Sequence, residues 1–406
     1  MGGLLLLMAL VQSYFASVYR IESGSMRPTL FGGPSPEGPR YDEWVLVRFL
    51  QDPDLRRFDL VVTRAYPGSD PLVKRVAGLP GETVFIQDGD LYIDGELLPP
   101  NHPRPAPIPV FDDRYQAVDQ YFEYKRPTQI EASPWDLEAD VLALDASQVA
   151  VESQHGLMLF HPDLTDSYLD RNGKRNPGLR QVNDGIIECQ LQLVEAYPGA
   201  VFRFRLTEEG DSFEAVLTQL ESTDDPERLS ILRIVRWNPR TLLSDRPEER
   251  RLVLKEIPVH VPRGPWIDVH FSNIDNHLRF ASDALGLSCE VSYDRNEPYP
   301  GRKKAGNKSF GNRVAFGGAQ LRANFRRVRV LRDLFYTSAG IHGTRDNCVL
   351  PQDKCFLLGD NSAFSTDSRH SAPTEVSRIA GRPVAIVWPS FRWLERIALP
   401  PGASKP

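Results

Sequence analysis

The 406-residue sequence is poor in cysteine and methionine, with four of each, and it carries no strong excess of charge. Four cysteines are too few for a disulfide scaffold at this length, and the lack of a C-x-x-C pair argues against zinc. The net charge of −6 offers neither a basic surface for nucleic acid nor an acidic tail. With 34 prolines, this composition favours a loop-rich β protein over a helical bundle.

Two of the cysteines flank a short segment that contains proline. Cys348 and Cys355 enclose "CVLPQDKC", a spacing at which two thiols in an oxidising compartment can close a small loop. Two unpaired buried thiols are the alternative, and the sequence leaves both open.

One candidate membrane segment lies at the N-terminus. Residues 2–19, "GGLLLLMALVQSYFASVY", carry no charge, and their length is close to the ~17–25 residues that span a bilayer. Tyr14 and Tyr19 are placed to act as interface anchors. No Lys or Arg precedes the leucines, as a cleaved signal peptide would require. Residues 1–20 are therefore predicted to be a membrane anchor rather than a cleaved peptide or a core helix.

Residues 41–98 have the pattern of a small β unit with tight turns. "DEWVLVRFL" and "FDLVVTRAYP" have strand character, and Asp94-Gly95 after "LYI" predicts a hairpin. Lys74 lies in this unit, directly after the apolar run "PLV".

The stretch "IESGSMRPTL" presents two serines with no histidine nearby, since the first histidine of the chain is His102. A serine hydroxyl needs a base, and a neutral amine can act as one when burial lowers its pKa. Ser-Lys dyads use this arrangement and need no histidine. Taken singly, a Ser-Gly-Ser turn and a lysine in a strand are usually ordinary surface features.

Four boxes in order change that interpretation: "SGSMRPTL", "FDLVVTRAYP", "VKRVAGLPGE" and "LLGDNSAFSTDSR". Together they resemble the type I signal peptidases, over residues 4–98 and 346–391. The resemblance implies a β-barrel-like catalytic fold and a single-pass protein of the cell membrane with its catalytic domain on the extracytoplasmic side. It also implies cleavage of signal peptides from exported preproteins after small residues, with no cofactor, no metal and no nucleic-acid partner.

The resemblance assigns roles residue by residue. Ser25 is the nucleophile, Lys74 is the general base, and the Ser23 hydroxyl joins the Ser25 backbone N–H in the oxyanion hole. Ser365 orients the lysine. Asp367 and Arg369 form a supporting ion pair. Four apolar positions are expected to line the pocket for small substrate side chains: Ile21, Met26, Leu30 and Val73.

Three positions depart from the family pattern. Glu22 stands where proline is usual, Phe58 replaces a glycine, and Ser362-Ala363-Phe364 replaces Arg-Asp-Asn. None of these changes removes a catalytic group, so the chemistry is better supported than the specificity.

A long insert separates the two catalytic segments, residues 21–99 and 338–406. Residues 100–185 begin with the proline-rich "NHPRPAPIPV" and are interpreted as a linker and the start of the insert. Period-two runs from residue 186 to 337 predict an antiparallel sandwich of eight or more strands. "WIDVHFSNIDNHLRFASD" resembles the central hairpin of concanavalin-like (laminin-G-like) jelly rolls.

Sandwiches of this kind often bind glycans or calcium, and a structural or protein-contact role is the alternative for the insert. The segments rich in Asp and Asn, "DLTDSYLDRNGKRNPG" and "SNIDNH", lack the spacing of an EF-hand loop. No metal is therefore predicted.

Two other classes of function fit parts of the pattern. A self-cleaving Ser-Lys regulator resembling the SOS repressors would require a helix-turn-helix where this chain has a leucine run. An inactive or specialised peptidase-like scaffold, whose insert binds a glycan or a protein, would be favoured by loss of Ser25 or Lys74. Both residues are present. The sequence therefore favours a membrane-anchored serine endopeptidase.

Overall fold

The protein divides into two compact units, each described here by itself. The computed structural model describes residues 16–35, 38–50, 54–64, 69–99, 102–124, 133–137, 141–151, 153–208, 210–218, 230–237, 251–295 and 313–394. Residues 1–106 and 334–406 form the split unit, and residues 107–333 form the inserted unit. Within the described residues both units are mainly β.

The two longest strands lie in the inserted unit, and the other strands range from two to ten residues across the two units. The strands that precede the inserted unit are β1 Ala16–Arg20, β2 Gly32–Ser35, β3 Gly38–Asp42, β4 Trp44–Phe49, β5 Leu60–Arg64, β6 Pro71–Gly78, β7 Thr83–Gln87, β8 Asp90–Ile93 and β9 Glu96–Leu97. Those of the inserted unit are β10 Ile108–Asp112, β11 Phe122–Tyr124, β12 Trp135–Asp136, β13 Leu142–Asp145, β14 Leu157–Phe160, β15 Tyr168–Leu169, β16 Arg175–Asn176, β17 Gly185–Glu208, β18 Asp211–Thr218, β19 Ser230–Trp237, β20 Leu252–Val259, β21 Trp266–Ile274, β22 His277–Ser282, β23 Leu287–Ser292 and β24 Val314–Arg332, with one helical turn, α1 Val118–Tyr121. Those after it are β25 Cys348–Val349, β26 Lys354–Leu358, β27 Thr374–Glu375, β28 Ile379–Trp388 and β29 Arg392–Trp393, with 3₁₀ turns at Ser362–Phe364 and Val376–Arg378.

The main sheet of the split unit interleaves strands from the two ends of the chain. Its order in the described residues is β1-β4-β28-β5-β6-β26-β27, so β28 lies between two strands of the first segment and β26 pairs with β6 of that segment. Buried side chains of both segments form one hydrophobic cluster on this sheet: Val61, Val76, Cys355, Leu357 and Ile379. Neither segment therefore completes the sheet alone.

The end of the predicted membrane anchor is a strand. Residues 1–15 lie outside the described residues, and Ala16–Arg20 form β1, which pairs antiparallel with β4. Tyr19 packs against the core of the split unit, which explains why this part of the apolar run belongs to the sheet. Among the described residues, no helix combines the length and the apolar character needed to cross a membrane.

Tight Asp-Gly turns join β7, β8 and β9, as the sequence predicts for Asp94-Gly95. Both residues of that turn have positive φ, 54° for Asp94 and 86° for Gly95, as a two-residue type I′ hairpin requires. Asp88 and Gly89 adopt the same conformation between β7 and β8, with φ of 56° and 101°.

The inserted unit is built on the long antiparallel pair β17 and β24. Its register shifts between Ala196 and Val201. The first half of β17 pairs with β21, whereas the second half pairs with β18. Phe204 on the second half contacts Phe280 on β22, with ring centroids 6.0 Å apart. The two halves thus contribute to two layers that face each other across an aromatic core.

The inserted unit starts earlier than the sequence pattern indicates. Residues 100–185 are predicted to be a linker and the start of the insert, but they contain β10 to β16. Strands β10, β13 and β14 all pair with β24. This pairing places the segment inside the fold, and the unit ends at residue 333 rather than 337. All four cysteines are free thiols, so Cys348 and Cys355 form no disulfide.

Candidate active site

Lys74 lies at the centre of the main sheet of the split unit. It is on β6, opposite Val61 of β5, and only 5% of its surface is exposed. Its Nζ lies 2.8 Å from the Oγ of Ser25. The structure therefore brings together the predicted base and nucleophile from positions 49 residues apart.

The surroundings of Lys74 favour a neutral amine. Burial lowers the pKa of Lys74 below its ordinary value, since it removes water from the charged form, and the nearby positive charge of Arg369 acts in the same direction. The negative charges of Asp367 and Asp360 oppose this shift without cancelling it.

Ser25 belongs to a turn between β1 and β2. Buried side chains and hydrogen bonds of the residues that follow Ser25 hold this turn in place. Met26 and Leu30 are buried at 1% and 0% exposure. The guanidinium of Arg27 donates hydrogen bonds to the carbonyls of Gly32, Gly33 and Pro34, at 2.8, 3.1 and 2.9 Å. The side chain of Ser25, in contrast to these buried residues, remains partly exposed.

The Ser23 hydroxyl lies beside the predicted nucleophile. Its Oγ is 3.2 Å from the Oγ of Ser25, and the residue is exposed. A hydroxyl in this place is close enough to approach an oxyanion that forms at a carbonyl attacked by Ser25.

The segment after β26 closes on the Ser25 turn. The backbone N–H of Asn361 donates to the Ser25 carbonyl at 3.0 Å, and its side-chain amide donates to the Gly24 carbonyl at 2.9 Å. Gly359 approaches so closely that a Cβ there would lie 2.6 Å from the Ser25 carbonyl oxygen and 2.2 Å from the Ser365 Oγ. Only glycine fits at this contact.

A buried ion pair holds the strand that carries Lys74. The Nε and Nη2 of Arg75 donate to the two carboxylate oxygens of Asp360 at 2.8 and 2.6 Å. Their side chains are 5% and 0% exposed. The bidentate geometry fixes the loop of Asp360 against β6.

Asp367 and Arg369 form the predicted ion pair. Arg369 is fully buried and donates from Nε and Nη2 to both oxygens of Asp367, each at 2.9 Å. It also donates to the Thr337 carbonyl at 2.9 Å and the Ser362 hydroxyl at 2.6 Å. Burial opposes the charge of Asp367, but the hydrogen bonds and charge of Arg369 keep its pKa below the ordinary value.

Ser365 lies next to this pair but does not hydrogen-bond to Lys74. Its hydroxyl is buried beside Asp367 and helps to stabilise the charge of that carboxylate. It also packs against Gly359. The orienting contact that the resemblance implies is therefore not formed in this structure.

The four predicted pocket residues belong to one hydrophobic cluster. Ile21, Met26 and Leu30 are at its buried centre, and Val73 packs against it while remaining partly exposed. The first three support the site from beneath. Their contact with a substrate side chain stays a prediction.

The unusual residues in the boxes have structural explanations. Phe58 has a φ of 66°, in the region that favours the glycine it replaces. Its buried ring meets His102 edge-on at 5.8 Å, and its carbonyl accepts a bond from Arg75 at 2.7 Å. Ser362 joins the Arg369 network, whereas Glu22 is exposed.

Sequence reasoning did not identify Gly359, Asp360, Asn361, Arg75 or Thr337 as parts of this site. The first three lie in the quoted box "LLGDNSAFSTDSR", and this box is the sequence feature that could have indicated them. Their partners are distant in sequence, 285 residues for Asp360 with Arg75 and 337 for Asn361 with Gly24. No local pattern reveals such pairings.

The chain is similar in sequence to known signal peptidases. Residues 1–136 and 310–388, together just over half of the chain, match the profile of "Signal peptidase, peptidase S26". Signal peptidase I of Streptococcus pneumoniae is 36% identical over 91 residues, which cover 22% of this chain and 39% of that protein. Signal peptidase I T of Bacillus subtilis is 34% identical over 93 residues, 23% of this chain and 45% of that protein. The chain thus spans less than half the length of either relative.

Similar solved structures share only weak likeness. The CBM2 module of an evolved Dit protein of Lactobacillus casei BL23 phage J-1 has a TM-score of 0.35 at 9% identity and covers 57% of this chain and 97% of that one. The laminarinase of Rhodothermus marinus has the same TM-score and identity and covers 56% of this chain and 98% of that one.

Proposed function

Because the chain belongs to the peptidase S26 family of signal peptidases, we propose that it is a serine endopeptidase that removes signal peptides from exported preproteins. The observation that carries the proposal is the 2.8 Å approach of Lys74 Nζ to Ser25 Oγ. The lysine is buried and its pKa is lowered. A serine beside a neutral amine is the pairing that histidine-free acyl transfer needs.

The reaction begins with proton transfer inside this pair. The neutral Lys74 amine takes the proton of the Ser25 hydroxyl as Oγ attacks the carbonyl carbon of the scissile peptide. The resulting oxyanion accepts hydrogen bonds from the Ser23 hydroxyl and the Ser25 backbone N–H. The Lys74 ammonium then gives its proton to the leaving amine, and the peptide bond breaks to an acyl-enzyme.

Hydrolysis of the ester repeats these roles with water. Lys74 accepts a proton from the water as its oxygen attacks the acyl carbon, and the proton returns to Ser25 Oγ as the ester bond breaks. The clamp of Asp360 on Arg75 and that of Asn361 on the Ser25 turn hold the two reacting atoms at this distance. Because the folded protein already holds the two groups together, little further entropy is lost when they react.

The substrate preference that we propose is for small residues before the cleaved bond, of the Ala-x-Ala type. The apolar cluster under the Ser25 turn, with Val73 at its partly exposed edge, supports a shallow apolar subsite. Glu22 beside it is an exposed carboxylate, where a proline is usual in the family. It is a position at which substrate preference would differ from that of the relatives.

We place the peptidase at the extracytoplasmic face of the cell membrane, held by its apolar N-terminal segment and by lipid contacts of the split unit. Exposed aromatic rings support this placement: Trp44 at 39%, Trp388 at 60%, Phe391 at 61% and Trp393 at 65%. Tryptophan is enriched where protein meets the lipid headgroups. Trp388→Ala with Trp393→Ala is expected to reduce co-sedimentation with anionic vesicles, and unchanged binding would reject these contacts.

The decisive experiment measures cleavage of a synthetic precursor by the full-length protein in detergent. The precursor has alanine at the first and third positions before the scissile bond, and a matched peptide has leucine at both. We expect a single cut in the alanine peptide, located by mass spectrometry, and none in the other. Lack of cleavage over a broad pH range would favour an inactive scaffold with a binding insert.

A further inference from the structure

The inserted unit carries a cleft of about 710 Å³ on the outer face of its central strands. The walls come from the first half of β17, from β21 and from the second half of β24. Side chains alternate along these strands, so that Cys189 and Val269 face the core while Glu188 and His270 face outward. Clefts of ~300–1,000 Å³ are of the size that holds small ligands.

Polar side chains across the three strands are fixed by one another. Glu188 lies opposite both His270 and Arg329 in the strand register. One of its carboxylate oxygens is 3.1 Å from His270 Nδ1, and the other accepts from Arg329 Nη1 at 2.8 Å. Next along the same strands, Gln190 accepts from Arg326 Nε at 2.9 Å. Four residues of the lining thus form a preorganised row of donors and acceptors: Glu188, Gln190, His270 and Arg329.

The row continues to Trp266, whose ring is covered by the guanidinium of Arg326 at 3.9 Å. Beside it, Asn324 donates to Gln192 at 2.9 Å. Across the cleft, the Asp268 carboxylate accepts the backbone N–H groups of Asp283 and Ala284, each at 2.8 Å. Asp268 and Asp283 belong to the cleft lining, whereas the Trp266 and Asn324 contacts lie on the same strands outside it.

The guanidinium of Arg327 in the cleft has no such partner among the described residues. Arg327 is exposed, and its backbone N–H, not its side chain, bonds to the Asp113 carboxylate. It has a φ of 53° and occupies an irregularity in the pairing of β24 with β17. The next N–H, that of Val328, donates to the Asp113 carboxylate at 2.7 Å. A bulge held in this way redirects a side chain, here toward the cleft.

From this arrangement we infer that the cleft binds an acidic oligosaccharide, a sugar chain that carries carboxylate groups. Sugar hydroxyls both donate and accept, so they match a row that contains amides, a carboxylate, an imidazole and guanidinium groups. Arg327 offers an unpaired fork of donors for a carboxylate. A densely charged phosphate chain fits less well, because the cleft also contains four acidic residues: Asp112, Glu188, Asp268 and Asp283.

The test uses calorimetric titration of the full-length protein with tetramers of galacturonate, mannuronate, guluronate and glucuronate. Methyl-esterified forms of the same tetramers keep the hydroxyls and lose the charge. We expect at least one acidic tetramer to bind and its ester to bind about tenfold more weakly or worse. No binding by any tetramer at millimolar concentration, or equal binding of the esters, would overturn the inference.

Single-residue variants test whether tetramer binding depends on the cleft or only on the positive charge of exposed arginines. Arg327→Gln should weaken binding of the acidic tetramer about tenfold, whereas Arg322→Gln, at an exposed arginine on the same strand outside the cleft, should leave it unchanged. His270→Ala should weaken acidic and esterified tetramers alike, because it removes a hydroxyl partner. Equal losses in the Arg327 and Arg322 variants would reject the cleft as the site. Since this binding is measured without proteolysis, its failure leaves the proposed peptidase function untouched.

Discussion

The split unit buries the charged groups of its site, whereas the inserted unit keeps its polar row on an open face. Lys74, Asp360 and Arg369 are 5%, 3% and 0% exposed. The side chains of His270 and Glu188 are 28% and 29% exposed. Burial lowers the pKa of a lysine, which favours the neutral amine that a base requires. An open face leaves its groups accessible for hydrogen bonding to a ligand, so the two units are suited to different tasks.

The largest expected effect comes from replacing Lys74 with a residue that cannot become neutral. Lys74→Arg keeps a long cation at the site, but a guanidinium does not lose its proton in a protein. We expect kcat/KM on the precursor peptide to fall about 10³-fold or more, as it should for Ser25→Ala. Thermal unfolding followed by circular dichroism checks that each variant is folded.

Lys354→Arg is the matched control, because Lys354 lies on β26 of the same unit and is only partly buried. Its activity should equal that of the wild type. A Lys74→Arg protein that retains a tenth of the activity would show that another group is the base.

The second effect compares ion pairs in the two units. Asp360→Ala leaves Arg75 buried without its carboxylate and should cost about 3–5 kcal/mol in the free energy of unfolding. Asp145→Ala removes a partner of Arg322, where both side chains are about half exposed, and should leave the melting temperature unchanged. Differential scanning calorimetry measures both. Equal effects would mean that burial does not distinguish these pairs.

The pH dependence should follow Lys74 alone. Activity requires the neutral amine, so kcat/KM should rise as pH increases through the lowered pKa of Lys74 and fall below it. The charge of Asp367 raises that pKa, so Asp367→Asn should move the acidic limb of the residual activity to lower pH. A limb that moves to higher pH would contradict this coupling.

The same shift affects stability with a fixed sign. Because the pKa of Lys74 is lower in the folded state, unfolding takes up a proton in the window between the folded and unfolded pKa values. The folded state therefore gains stability as pH rises through that window. Lys74→Met should abolish this gain, which denaturant titrations at several pH values can measure.

The smallest effect concerns Phe58. Its φ of 66° costs a residue with a side chain roughly 1–2 kcal/mol, which glycine avoids. Phe58→Ala and Phe58→Gly both lose the buried ring, but the glycine variant should be more stable than the alanine variant by about 1 kcal/mol. Urea unfolding compares them, and the opposite order would contradict the strain.

Local patterns in the sequence predict some of these features well. The Asp94-Gly95 hairpin follows from two residues that tolerate positive φ. Ser25 and Lys74 are identified by the boxes around them, and the structure brings their side chains to hydrogen-bonding distance. Phe58 stands where the family usually has glycine, and its backbone has the positive φ that glycine favours.

Other features depend on contacts that no local pattern encodes. Tyr197-Pro198-Gly199 resembles a turn, yet it lies inside the single strand β17, because pairing with β24 continues on both sides. The start of residues 100–185 looks like a linker because the prolines of "NHPRPAPIPV" obscure the strand β10. The sequence around Arg75 does not predict its burial, whereas in the structure it is buried and bonded to Asp360 and to the Phe58 carbonyl.

The interleaved sheet of the split unit has a consequence for biosynthesis. The partner of Arg75 follows it by 285 residues, so a growing chain cannot assemble the site until its last segment has emerged. Closing so long a flexible loop would carry an entropy cost that grows with its length. The inserted unit removes much of that cost, because Ile108 of β10 pairs with Arg332 of β24. Once it has folded, the two ends of the insert leave at neighbouring positions, so that the insert joins the two segments of the split unit as a short loop does.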